Sequence, residues 1–220
     1  VAKAIDKTLN ELFDAERNVR RLHDELASLP PNDLLDALSG ALTAALREAN
    51  EDEASLRLVR IAALLGEHEG PRAVDALIDV LSSDHPEARR AAGDELEALA
   101  YERFKEVALG VERALKRLPL GSPALPELPY LLAEIPEPGV LKLLGQFLTH
   151  ADPDAVAAAI EAIAEMGDTA AIKMLEPLAH DDRTVELADD GSDATSEASI
   201  GELASEAIEL LQSFEGEDEA

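Results

Sequence analysis

Three stretches of this 220-residue chain are versions of one another, and that repetition restricts its fold more than any other feature. They read EASLRLVRIAALLG at 53–66, EARRAAGDELEALA at 87–100 and DAVAAAIEAIAEMG at 154–167. The first two are 34 residues apart and the last two 67, close to twice that. Small or apolar residues fall in register at Ala54, Ala88 and Ala155, then at Leu58, Ala92 and Ala159. Two further sets are Ala62, Leu96 and Ile163, and Leu65, Leu99 and Met166. Steps of four, four and three keep these positions on one face of a helix. Gly66 and Gly167 stand where a helix-ending glycine is expected.

The neighbouring segments repeat as well. PRAVDALIDVL (71–81), GVLKLLGQFL (139–148) and GDTAAIKMLEPL (167–178) share a second apolar pattern, with Val74, Leu77 and Leu81 opposite Leu141, Leu144 and Leu148. SSDHPEA in one copy and THADPDA in another separate the two helices of a unit. Asp84 and Asp152 are placed to cap, and Pro86 and Pro153 suit a first turn, where no N–H bond is lost. The unit is therefore helix, turn, helix. One hairpin of this kind cannot hide its own apolar stripe, whereas a stack of them shares a continuous core. Ala and Leu dominate, long β-branched alternating runs are absent, and the chain reads as all-α.

This pattern resembles HEAT repeats of the short, phycobilisome-lyase-like kind, well at 67–100 and 139–178 and partly at 34–66. The resemblance implies a right-handed α-solenoid forming a single domain over 1–220, with repeats spanning 34–178 and the second helix of each unit on the inner face. In such repeats an Arg after the turn often joins a ladder with turn aspartates. Arg89 matches that position, but Ser55 and Val156 replace it in the other copies, so a broken ladder is expected. The resemblance specifies a scaffold and hardly constrains a function.

Three segments depart from the repeat. At 101–138 a helical start, YERFKEVALGVERALKRLP, runs into Pro119, Pro123, Pro126, Pro129, Pro136 and Pro138. These forbid a long second helix and leave a degenerate unit with a loop and a short helix near 126–135. Its Tyr130, Leu131, Leu132 and Ile135 either pack inward or form an exposed docking edge. Residues 1–30 read as a long amphipathic helix ended by Pro30–Pro31, with Asn32 capping the next. Ile5, Leu12, Val19 and Leu26 recur at seven, supported by Leu9, Leu22 and Leu29. That stripe either caps the first hairpin or mediates self-association through residues 5–29. At the other end, HDDRTVELADDGSDATSEAS (180–199) reads as an acidic flexible insertion, followed by a closing helix at 200–214 and a frayed tail, EGEDEA. ELADDGSDATSE lacks the residue order of a calcium loop.

Asp and Glu number 47 against 19 Lys and Arg, a formal net charge of −28. Nucleic acid and anionic membranes are therefore excluded as main partners, since both need positive potential. The expected partner is another protein with a basic surface. The absence of cysteine excludes disulfides and thiolate metal sites. No apolar run approaches a membrane span and the first residues do not resemble a secretory signal, so a cytoplasmic protein is expected. The acidity also fits a source adapted to high salt.

Catalytic signals are missing. His68–Glu69 resembles the pairs of helical-repeat iron hydroxylases, but those need several pairs converging from different hairpins. A lone pair in an inter-repeat turn reads as solvent-exposed. No G-x-S-x-G, Walker or dinucleotide-binding loop is found. No catalytic residue, metal ligand or cofactor is assigned. The expected function is a noncatalytic protein–protein interaction scaffold or adaptor, or a regulatory subunit of a complex. The alternative is a small enzyme or cofactor-binding module of the lyase-like type, with a pocket near Tyr101, Arg103 and Tyr130. Helical spacing places Glu87, Arg90, Asp94 and Glu97, and then Asp154, Ala157, Ala158 and Glu161, on the open side of the second helices. With Tyr130 these are the candidate protein-binding residues, on a face expected to be flat and mixed in charge.

Overall fold

A computed structural model describes residues 2–188 and 195–218. After an N-terminal helix, α1 (Ala2–Ala27), the chain alternates between two layers. Layer A holds α2 (Pro31–Ala45), α4 (Pro71–Leu81), the second half of α5 (Pro86–Arg117), α7 (Val140–Phe147) and α9 (Ile172–Leu175). Layer B holds α3 (Glu51–Gly66), the first half of α5, α6 (Ala124–Ala133), α8 (Pro153–Met166) and α10 (Ile200–Asp218). Each B helix packs on the next, α3 on α5, α5 on α6, α6 on α8 and α8 on α10. The protein is an all-α solenoid of stacked hairpins.

The core lies between the layers. Leu58, Leu65 and Leu96 from layer B belong to one core cluster with Leu77, Ile78, Leu144 and Phe147 from layer A, all fully buried. Each such side chain contributes about 1.5–3 kcal/mol relative to exposure. The aligned alanines Ala54, Ala88 and Ala155 are also fully buried. Their small size lets helices approach closely, so the repeat is legible as a packing rule.

Helix ends follow local chemistry. Asn50 caps α3 by accepting from the Glu53 N–H, and Asp152 caps α8 by accepting from the N–H groups of Asp154 and Ala155. Gly167 ends α8 at φ +68, a left-handed conformation that glycine adopts without steric cost. Three expected ends differ. Gly66 is still helical, and the left-handed glycine of that turn is Gly70, at φ +100. Asp84 caps nothing, because His85 occupies the N-cap of α5. Asn32 lies inside α2, which starts at Pro31 without a side-chain cap.

Helix α5 crosses from layer B to layer A with only Arg103 out of helical geometry, at φ −141 and ψ 50. The equivalent crossing from α3 to α4 uses the residues 67–70 and a left-handed glycine. No Gly or Pro lies between 94 and 109, so the chain kinks at one residue instead of opening a loop. In α6, Pro129 removes an N–H from the helix interior. Leu132 and Ile135 are buried there, Leu131 is half-buried and Tyr130 is exposed.

Two expectations are corrected. The insertion at 180–199 contains two paired strands, β1 (Thr184–Ala188) and β2 (Thr195–Ser199), antiparallel from Thr184↔Ser199 to Ala188↔Thr195. Val185 turns into the core, and the alternation T-V-E-L-A puts its neighbours outward. Residues 189–194, the tip of that insertion and half of the calcium-loop candidate, lie outside the described residues, as do 219–220 of the tail. Ser199 and Glu202 then form a reciprocal capping box at the start of α10. The second correction concerns α1, whose leucine stripe does not cap the first hairpin. Among the α1 residues whose burial is described, Val19, His23 and Ala27 are half-buried, so Val19 alone of the stripe is covered, while Ile5, Leu9, Leu12, Phe13, Leu22, Leu26 and Leu29 remain exposed.

Candidate interaction surface

The open face of layer B carries most of the side chains singled out in sequence. Glu87, Arg90 and Asp94 are exposed on α5, and Glu97 is half-buried beside them. On α8, Asp154 and Glu161 are exposed, Ala157 is half-buried and Ala158 is buried. On α6, Tyr130 is exposed and its hydroxyl donates to Glu161 of α8, tying adjacent units together. The two predicted sets therefore lie in one layer, on helices separated by α6. They do not converge into a pocket.

The face is more acidic than mixed. Helices α6, α8 and α10 contain no Lys or Arg. Arg89 of α5 does not build a ladder with turn aspartates but pairs with Glu127 of α6 at 2.9 Å. That leaves Arg60 and Arg90 as exposed cations on B helices without an ion pair among the described residues. Burial is the leading cause of the raised carboxylates here, with like charge adding to it at Glu95 and Asp154. Burial, helped by Glu67 and Asp94, raises Glu95 above the ordinary carboxylate range against the opposing pull of His23. Burial also raises Glu127, although Arg89 opposes it. Asp154 is raised by burial and by Asp152 and Glu186. The Tyr130 phenol is pushed far up by burial, then by its hydrogen bond to Glu161 and the charges of Glu161 and Glu165, and stays protonated.

Sequence reasoning missed the apolar part of this surface. Between α8 and α10, Ala157, Ile160, Ala164, Leu203, Ala207 and Leu210 line a groove of about 210 Å³ with Glu161 and Glu206 on its walls. The signal lay in the spacing of Leu203, Ala207 and Leu210, four and three apart, with Glu206 between them. A second groove, between α3 and the start of α5, is lined by Ser55, Leu56, Val59, Arg60 and Glu87.

Layer A differs. Asp36 of α2 pairs with Arg72 of α4, Asp75 of α4 with Arg113 of α5 at 2.8 Å, and Asp79 with Arg117. Gln146 of α7 donates to Glu112 of α5 at 2.9 Å. Buried Asp152 works across units too, since its second carboxylate oxygen accepts from the Gly121 N–H at 2.6 Å.

The residues weighed for catalysis separate. Tyr101 donates to the Glu134 carbonyl on α6, Tyr130 reaches α8, and Arg103 turns back to Glu69 at 3.4 Å. His68 is buried rather than exposed, with Nε2 lacking a partner, while Glu69 remains exposed. Within its turn, His68 alone points inward, between exposed Glu67 and Glu69. Among the described residues, no three His, Asp or Glu side chains gather as a metal-ligand set. Among the same residues, no helix is long and apolar enough to cross a membrane.

The family described as HEAT repeats matches residues 130–189, which covers α7, α8 and parts of the neighbouring units. No curated protein matches the chain. Among solved structures, an engineered protein is 20% identical over 91% of this chain and 93% of its own, with a TM-score of 0.37. A second engineered protein is 21% identical over 91% of both chains, with a TM-score of 0.31. A computationally designed armadillo repeat protein for modular peptide recognition is 16% identical over 89% and 92%, with a TM-score of 0.33. Over residues 130–189 the chain is thus similar to HEAT repeats, in agreement with the stacked hairpins seen there.

Proposed function

We propose that this solenoid is a noncatalytic scaffold or adaptor whose open B-layer face binds a protein segment of basic character with aliphatic anchors. Service as a regulatory subunit of a larger complex fits the same surface. The observation that carries the reading is the pairing of an apolar groove between α8 and α10 with carboxylates that have no cation on those helices. An aliphatic side chain in the groove would be desolvated, while Lys or Arg on either side of it would meet Glu161 and Glu206. Electrostatics would steer such a partner and fix its orientation, and the groove would slow its release.

The test is quantitative capture from source lysate with the full chain and with its Glu161→Lys/Glu206→Lys variant, at low and at high salt. A stoichiometric basic partner held by the parent chain, released by salt and lost from the variant supports the reading. Equal retention by both chains removes this face from the interface. A second pair, Glu87→Lys and Arg90→Ala, asks whether the surface extends onto α5.

A further inference from the structure

Helix α1 stands apart from the array in three ways. It is the first element of the chain, and it rests on the stack through Val19, His23 and Ala27, with His23 Nε2 bonded to Glu67 at 2.8 Å. Its apolar residues Ile5, Leu9, Leu12, Phe13, Leu22 and Leu26 are 40–61% exposed. Its charge is nearly balanced, five Lys and Arg against six Asp and Glu, in a chain whose net charge is −28.

The order of those apolar residues has a symmetry of its own. Ile5, Leu9 and Leu12 occupy one end and Leu22, Leu26 and Leu29 the other. Reversing the helix against a copy of itself sets Ile5 opposite Leu29 and Leu12 opposite Leu22, with Leu9 and Leu26 beside each other one residue out of that register. Helical bonding continues past Ala27, with Ser28 N–H donating to the Asp24 carbonyl, so Leu29 extends the same surface. In that arrangement Asp14 comes opposite Arg20 of the other copy. A parallel pairing would instead bring two strongly acidic arrays side by side. In the antiparallel register the contacts that seat α1 on each array, centred on His23, lie about 18 Å apart along the pair, roughly two Debye lengths at physiological salt.

We infer that α1 is a homodimerisation helix that packs antiparallel on α1 of a second copy of this chain. The near-neutral stripe is the place where two such acidic molecules approach without strong repulsion. Salt then acts in opposite directions on the two surfaces. Screening relieves repulsion between the arrays and tightens the dimer, whereas it weakens the binding of a basic partner to layer B.

Sedimentation equilibrium of the full chain across the micromolar range tests this. A reversible monomer–dimer equilibrium that tightens with salt is expected, and a chain that stays monomeric throughout overturns the inference. Leu12→Glu/Leu22→Glu should weaken dimerisation by roughly a hundredfold or more, because four central anchors are lost per dimer. Its circular dichroism and melting curve, taken under dilute conditions, should match those of the parent, since both leucines are exposed. A dimer unaffected by this double substitution also overturns the inference. The chain has no cysteine, so cross-links can be assigned without ambiguity. Leu12→Cys chains mixed with Leu22→Cys chains should form a disulfide-linked pair. Leu12→Cys alone should not, because two copies of position 12 are about 15 Å apart along an antiparallel pair. Efficient cross-linking of Leu12→Cys to itself would refute the antiparallel arrangement.

Discussion

Layers A and B of this solenoid share a core and differ in how they handle charge. The helices of layer A carry seven Lys and Arg against six Asp and Glu, while those of layer B, with α5 divided at Arg103, carry four against eighteen. Cations are concentrated where helices are cross-linked by Asp36–Arg72, Asp75–Arg113 and Asp79–Arg117. Carboxylates accumulate on the other side, where Arg89–Glu127 is the pair that joins two B helices. Among the stacked helices, then, the negative charge lies almost wholly on layer B, a division that a single total for the molecule conceals. The contrast fits the proposed division of roles, in which layer A holds the stack in register and layer B meets a partner.

The largest test of this division strikes the register of layer A. A Cβ at Gly110 of α5 would lie 2.3 Å from Val74 Cγ1 and 3.4 Å from Val74 Cβ on α4. Val74 is fully buried and β-branched, so it cannot swing away. Gly110→Ala should cost about 1–3 kcal/mol, read as a lower melting temperature. An unchanged melting curve would mean that α4 and α5 can slide, against the idea of a fixed spine.

A smaller effect compares the layers directly. Arg113 donates Nε to both carboxylate oxygens of Asp75, at 3.0 and 3.1 Å, and its pair is only partly screened. Arg113→Ala should destabilise by up to about 1 kcal/mol. Asp94→Asn on layer B should leave stability unchanged or raise it slightly, because it removes a charge that repels Glu95. Equal losses from both substitutions would erase the contrast.

The smallest effect is in pH. Glu95, Glu127 and Asp154 have raised values in the folded chain, so each takes up its proton more readily there than in the unfolded chain. Their contribution to stability is full below the ordinary carboxylate range and is lost as pH rises through the raised values. Asp181, held down by Arg183, and Glu202, held down by Ser199, act in the opposite sense and lose their contribution as pH falls through the lowered values. Mild acidification from neutrality should therefore raise the melting temperature before stronger acid lowers it. Glu95→Gln should flatten the first part of that curve, and a curve identical to the parent's would remove Glu95 as a source.

What was legible in sequence was whatever repeats. Ala54, Ala88 and Ala155 marked one buried position in three helices, and Asp152–Pro153 marked a helix start. The prolines of 119–138 limited α6 to Ala124–Ala133. What escaped depends on neighbours brought in by stacking. The partners in the layer A ladder are 36 to 38 residues apart, between positions that look like ordinary surface charges. His68 is buried although its neighbours Glu67 and Glu69 are exposed. The strands at 184–188 and 195–199 were hidden by Asp, Ser and Gly between them, although Thr184, Val185 and Thr195 favour extended backbone. On the interaction surface, helical spacing found the exposed carboxylates, but the groove beside them needs both α8 and α10.

The kink at Arg103 has a mechanical consequence. In a stack of separate hairpins, strain is absorbed at the loops, which open before helices bend. Between Pro86 and Arg117 that joint is a single non-helical residue, Arg103, where two helical runs meet. Displacing the units on either side means turning the chain at that one residue, with no loop to share the change. The solenoid is thus two lengths joined by a one-residue hinge, and a load that separates them concentrates at Arg103.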